Sequence, residues 1–186
     1  MGRCLVSLVV ALMGAIALPA TASADRGLPR AYSADAFFLT TSGCVATFVG
    51  VFPVAAFDGT TRGVEGASMN MQLEQFDVCT NTHLLQADPG IVFFSPGQFE
   101  MSPGLNKASL QTTVSVHDSV SGRDFPVSID LIYQAVEPRS ENCSASVFPG
   151  ETTTFCNAVV EGVVSDGTTN FTRDPGAAVF QEHRPL

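Results

Sequence analysis

Tryptophan is absent from this 186-residue chain, tyrosine occurs only at Tyr32 and Tyr133, and lysine only at Lys107. Nine Lys/Arg stand against 18 Asp/Glu, a formal net charge of −9. Binding a phosphate backbone needs cationic side chains that displace counterions, so nucleic acid is excluded as a partner. Sugar rings stack chiefly on exposed Trp and Tyr, and here Trp is missing and only two Tyr are present. Tyr133 falls on the apolar side of its strand, and the 14 Phe sit mostly in strand runs that read as packing. Sugar recognition is left with polar side chains or calcium. Beyond the first 24 residues no apolar run approaches the roughly 20 residues of a membrane span. Catalytic signatures are missing as well: there is no G-x-S-x-G, no H-E-x-x-H and no phosphate-binding G-x-x-x-x-G-K.

What is present begins with an export signal. Residues 1–24 combine Arg3, an apolar run from Leu5 to Leu18, Pro19 and the small-x-small triplet Ala22-Ser23-Ala24. Cleavage there leaves Asp25–Leu186, 162 residues with 8 Lys/Arg against 18 Asp/Glu and a charge of −10. The expected location is extracellular or periplasmic. Cys4 precedes the apolar run, which is the wrong side for a lipid-bearing cysteine. The remaining Cys44, Cys79, Cys143 and Cys156 are an even set in an exported chain, which reads as two disulfides. Pairing by sequence proximity favours Cys44–Cys79 and Cys143–Cys156. No C-x-x-C spacing and only three His argue against zinc.

Period-two alternation dominates the rest. Ala67, Met69, Met71 and Leu73 oppose Ser68, Asn70, Gln72 and Glu74; Val127, Ile129, Leu131 and Tyr133 oppose Ser128, Asp130 and Gln134. Leu110, Val114 and Val116 oppose Gln111, Thr113, Ser115 and His117. One apolar and one polar face per strand is the pattern of antiparallel sheet. A break of phase between Leu73 and Phe76 predicts a bulge near Gln75. Asp58-Gly59, Asp166-Gly167 and Ser121-Gly122 are hairpin signals, and Asp88-Pro89-Gly90 fits a type II turn. The expected fold is an all-β antiparallel sandwich of immunoglobulin or jelly-roll type, with a barrel as the alternative. Residues 25–35 read as a flexible lead-in and 36–186 as one β domain. The stretch Leu73–Leu85 echoes Val114–Val127 in outline, each a strand, an Asp, a polar turn and a strand.

Two phrases, Gln75-Phe76-Asp77-Val78-Cys79-Thr80-Asn81-Thr82-His83-Leu84-Leu85 and Val164-Ser165-Asp166-Gly167-Thr168-Thr169-Asn170-Phe171-Thr172, resemble a family of secreted bacterial all-β proteins of no known activity. The resemblance implies an exported β domain and brings no site residues.

Candidate chemistry is sparse. Asp166, Asn170 and Asp174 recur at intervals of four in one polar loop, a possible calcium set, although Asp-Gly-Thr-Thr is also an ordinary turn. His117 beside Asp118 suggests a base with its orienter, yet neighbours on a strand point to opposite faces. Glu74, Asp130 and Glu161 project from strands and are the carboxylates available for a hydrolase. Asn142 and Asn170 match the glycosylation acceptor pattern, which matters only in a eukaryotic source. The expected function is a secreted, non-catalytic module that binds a protein or cell-surface polymer through its loops. Those loops are Phe57–Gly66, Pro96–Ala108 and Asp166–Pro175. The alternative is a small secreted hydrolase using carboxylates or a calcium site.

Overall fold

The computed structural model describes residues 30–57, 65–102, 104–172 and 175–185. Among them run β1 (Arg30–Ser42), β2 (Val45–Phe57), β3 (Glu65–Asp77), β4 (Thr82–Asp88), β5 (Val92–Phe93) and β6 (Phe99–Met101). They are followed by β7 (Lys107–Asp118), β8 (Arg123–Ala135), the helical turn α1 (Arg139–Asn142), β9 (Cys143–Phe148), β10 (Glu151–Ser165) and β11 (Gly176–Pro185).

Every pairing is antiparallel, and all eleven strands belong to one sheet in the order β11-β1-β2-β3-β4-β7-β8-β10-β9, with β5 on β3 and β6 on β7. The all-β antiparallel class is the one its alternation dictates. The ladder does not divide the strands into two sheets, because the 15-residue β10 is long enough to pair with β8, β9 and β11. Since β11 also pairs with β1, the sheet returns on itself around a single core. It is not a clean barrel, because β4 meets β7 over two residue pairs only, Ala87↔Asp118 and Asp88↔His117.

Alternation sorts the two faces. Along β7 the residues alternate exposed and buried without exception, and β8 does the same from Val127 to Ala135. Met71, Leu73, Leu110, Leu131, Val160 and Phe180 are fully buried in one cluster to which the long strands all contribute. Burial of such side chains is worth roughly 1.5–3 kcal/mol each. The outer faces of β7 and β8 carry mainly Ser, Thr, Gln, Asp and His, with Ile132 exposed among them. No helix among the described residues is long and apolar enough to cross a membrane.

Two sequence expectations shift here. β1 starts at Arg30, so Arg30–Asp35 is strand rather than lead-in: the segment lies between β2 and β11 and pairs with both. The Pro96–Ala108 stretch is largely a hairpin, not a free loop. Phe99–Met101 pairs with Ala108–Leu110, and Phe99, Leu105 and Ala108 are buried in the core. The bulge near Gln75 is present as a register shift between Gln75 and Phe76. Asp58-Gly59, Pro103 and Asp174 lie outside the described residues.

Cys44 bonds Cys79 and Cys143 bonds Cys156, the pairing favoured by proximity. The first bridge ties the β1–β2 turn to the end of β3, and the second holds β9 against β10. Their sequence separations are 35 and 13, for which the chain-entropy account gives about 4 and about 3 kcal/mol.

The narrow β4–β7 join is reinforced by one side chain. Asp118 is 4% exposed, and its Oδ1 accepts the Gln86 N–H at 3.1 Å and the Val120 N–H at 3.0 Å. Its Oδ2 accepts from the Ser121 N–H and hydroxyl. Ser119 closes the same seam by donating its N–H to the Gln86 carbonyl at 2.8 Å. Desolvation raises the Asp118 pKa, but the Ser121 hydroxyl and the Gln86, Val120 and Ser121 amides together bring it below the ordinary value.

Two expectations follow from these contacts. Asp118→Ala removes the buried acceptor of the Gln86, Val120 and Ser121 amides and the Ser121 hydroxyl, and should lower unfolding free energy in urea by about 2–3 kcal/mol. Because its folded pKa is depressed, the wild-type advantage is present above the ordinary carboxylate range and fades as pH falls through the folded value. A variant matching wild type in urea at neutral pH would refute the seam. Removing Cys44–Cys79 by a double Cys→Ser change should cost more than removing Cys143–Cys156, by roughly 1 kcal/mol on loop length; thermal unfolding of the two variants reads the order directly.

Candidate functional site

The concave feature nearest to a site lies on the outer face beside the seam. β4 and β5 are two pieces of one lane along β3. Leu73 pairs with Ala87, the ladder lapses, and it resumes with Met69↔Val92 and Ser68↔Phe93. The cause is local: Pro89 has no N–H to give, and Gly90 sits at φ +68, a conformation that glycine adopts without strain. Asp88 Oδ1 accepts the Gly90 N–H at 3.0 Å and holds the turn out from the sheet.

The chain detour leaves a groove of about 330 Å³. Asn70, Gln72 and Glu74 project from β3 on one side, with Gln86, Asp88 and Ile91 on the other. Glu74 faces Gln86 directly in register. Three primary amides, two carboxylates and one exposed aliphatic residue therefore share a single opening. Asn70 also turns its Oδ1 onto the Met71 N–H at 2.7 Å, which fixes that amide within the interrupted stretch. Two residues beyond Ile91, Phe93 stands on the same outer face with 77% of its surface exposed.

The sequence-level candidates fall elsewhere. Asp166 Oδ1 accepts the Thr168 N–H at 2.8 Å, the Thr168 hydroxyl at 2.7 Å and the Thr169 N–H at 2.7 Å. Asn170 Oδ1 accepts from the Thr172 N–H and hydroxyl. Oδ1 of Asp166 and Oδ1 of Asn170 are thus engaged in turns, and Asp174 is outside the described residues. Asp77 lies close to Cys44 and Cys79, but both sulfurs belong to the disulfide and neither is a thiolate ligand. His117 pairs with Asp124 across β7–β8 at 2.7 Å, both exposed, while Asp118 points inward as strand geometry requires. Asp130 and Glu161 are exposed on the outer face, whereas Glu74 alone of the three strand carboxylates lines the groove. His83 rests edge-on against Phe76 at 5.0 Å, and His183 meets Thr153 at 3.2 Å. Asn142 donates its amide to the Pro138 carbonyl.

Two groups carry strong electrostatics without forming a site. Glu182 is buried and accepts from Tyr32 at 3.0 Å and Arg184 at 2.7 Å, with Arg30 at 3.5 Å. Desolvation raises its pKa, but the Arg184 and Tyr32 hydrogen bonds and the two guanidinium charges more than offset it. Asp35 is different. Burial raises its pKa to about 6, against hydrogen bonds from Ser33 and Gln181 that lower it. The Tyr133 hydroxyl is buried without a hydrogen bond, and desolvation together with the Asp35 charge raises its pKa.

The chain matches no known protein family, no curated protein and no solved structure. Gln75–Leu85 forms the β3–β4 hairpin, and Val164–Thr172 spans the end of β10 and the turn that follows it.

An acid whose folded pKa is raised favours the fold when protonated, so Asp35 costs stability as pH rises from about 4 to about 6. Asp35→Asn is expected to be more stable than wild type by about 1–2 kcal/mol at pH 7 and equal to it at pH 4. Denaturation midpoints at the two pH values test this, and a pH-independent difference would refute it.

Proposed function

We propose that the protein is an exported, non-catalytic binding module whose recognition surface is the outer-face groove between β3 and the β4–β5 lane. The observation that carries this reading is the groove itself: polar side chains of both donor and acceptor type converge where the ladder opens. Export is supported by the signal-like residues 1–24 and by two disulfides, which persist in oxidising compartments. The partner class is a protein or a polymer at a cell surface. Among the described residues, none of the three loops expected from the sequence lines the groove; the loop segment that borders it is Asp88 to Ile91.

A second reading, carboxylate hydrolysis, draws on Glu74 and Asp88 lining the same opening. Under it, Glu74→Gln would abolish turnover of a bound polymer and leave binding in place.

Co-sedimentation with washed envelope material from the source cells tests the binding reading. Gln72 is exposed on a sheet surface, so Gln72→Arg fills the groove without touching the core. Wild type is expected to sediment with the envelope and Gln72→Arg to stay at least tenfold more in the supernatant. Equal sedimentation of the two, or none of either, overturns the groove as the recognition surface.

A further inference from the structure

Resting on that groove as the binding surface, we infer that its ligand is a neutral or amino-bearing glycan segment, with Phe93 as the ring on which a sugar face stacks. The first ground is the chemistry of the lining. Gln72 and Gln86 each offer a donor and an acceptor from one planar group, which matches the paired hydroxyls of a pyranose, and Asn70, its oxygen held by the Met71 N–H, adds the donors of its amide nitrogen. Glu74 and Asp88 add acceptors for hydroxyl or ammonium hydrogens.

The second ground is independent of the groove. Phe93 is the most exposed of the large apolar residues described, at 77%. Its neighbours Val92 and Phe94 turn inward and pack against the core, so the strand backbone holds its ring outward. Ile91, which lines the groove, lies just before β5, two residues from Phe93. A flat apolar ring beside an amide-lined cleft is the arrangement that stacks a sugar and hydrogen-bonds its neighbour. The volume, about 330 Å³, is at the lower end of the roughly 300–1,000 Å³ of ligand pockets. It suits one or two sugar units of a chain that continues past the open ends.

The charge selects among glycans. No Lys or Arg lines the groove, two carboxylates do, and the chain as a whole carries −9. A uronate or sulfated polymer would meet repulsion there, whereas a neutral or amino sugar would not.

Isothermal titration of the full chain with a neutral glucan oligosaccharide, a chitosan oligosaccharide and an oligogalacturonate tests the assignment. Wild type is expected to bind at least one of the first two with a Kd of about 1 mM or tighter, and oligogalacturonate at least tenfold more weakly. Phe93→Ala should weaken binding about tenfold and Phe93→Tyr should retain it. Ile132→Ala, an exposed apolar residue on β8, serves as the unaffected control. Absence of binding to all three probes, preference for the polyanion, or an unchanged Phe93→Ala overturns the glycan. If no oligosaccharide binds while Gln72→Arg still loses the envelope, the ligand is a protein and the groove reading stands. If both experiments fail, the groove is not a recognition surface.

Discussion

The closure of this sheet depends on how a carboxylate replaces a ladder. Between β4 and β7 only two residue pairs are in register, too few to hold a curved sheet shut. Asp118 makes up the difference by reaching from the end of β7 to the Gln86 amide while also binding the turn that follows it. It does so from a buried position, where a hydrogen bond is stronger and an unmet donor more costly than at the surface. The shut seam closes the sheet over one side of the core, where Ala87 and Val116 are buried.

The same device recurs at two other hairpin ends. Asp77 accepts from Cys79 and Thr80, and Asp166 from Thr168 and Thr169, in each case the amides two and three residues on. All three carboxyls are held below their ordinary pKa, with the backbone amides among the causes in each. The internal echo between Leu73–Leu85 and Val114–Val127 therefore has a physical basis in shared turn chemistry. It also explains why Asp166 is a turn residue first. Three of the 18 acidic residues are thus structural at hairpin ends, while Glu74 and Asp88 line the groove.

The groove arises from the opposite circumstance to the seam. At Asp88-Pro89-Gly90 the backbone leaves β3, and its pairing with β3 resumes at Val92. An interrupted lane exposes side chains from both banks without opening the core, because Met69, Met71 and Leu73 stay buried beneath. The β3 bank of the groove is held by the β2–β3 ladder. On the other bank the turn is fixed by a proline and an Asp88 hydrogen bond.

Several features were legible in the residues alone: the strands and their faces, the Gln75 bulge, the disulfide pairing and the inward place of Tyr133. Each is local, set by period-two alternation or by spacing along the chain. Single sheet against two sheets was not legible, because it depends on which strands the two edges of β10 meet. Nor was Phe93, which resembles the core phenylalanines until its partner is known to be Ser68 on the outer face. Asn70, Gln72 and Glu74 were readable as a polar face, and Asp88-Pro89-Gly90 as a turn. That these segments border one cleft followed only when β4 and β5 proved to lie on the same neighbour. Alternation along a strand determines which way a side chain points; register between strands decides what it points toward.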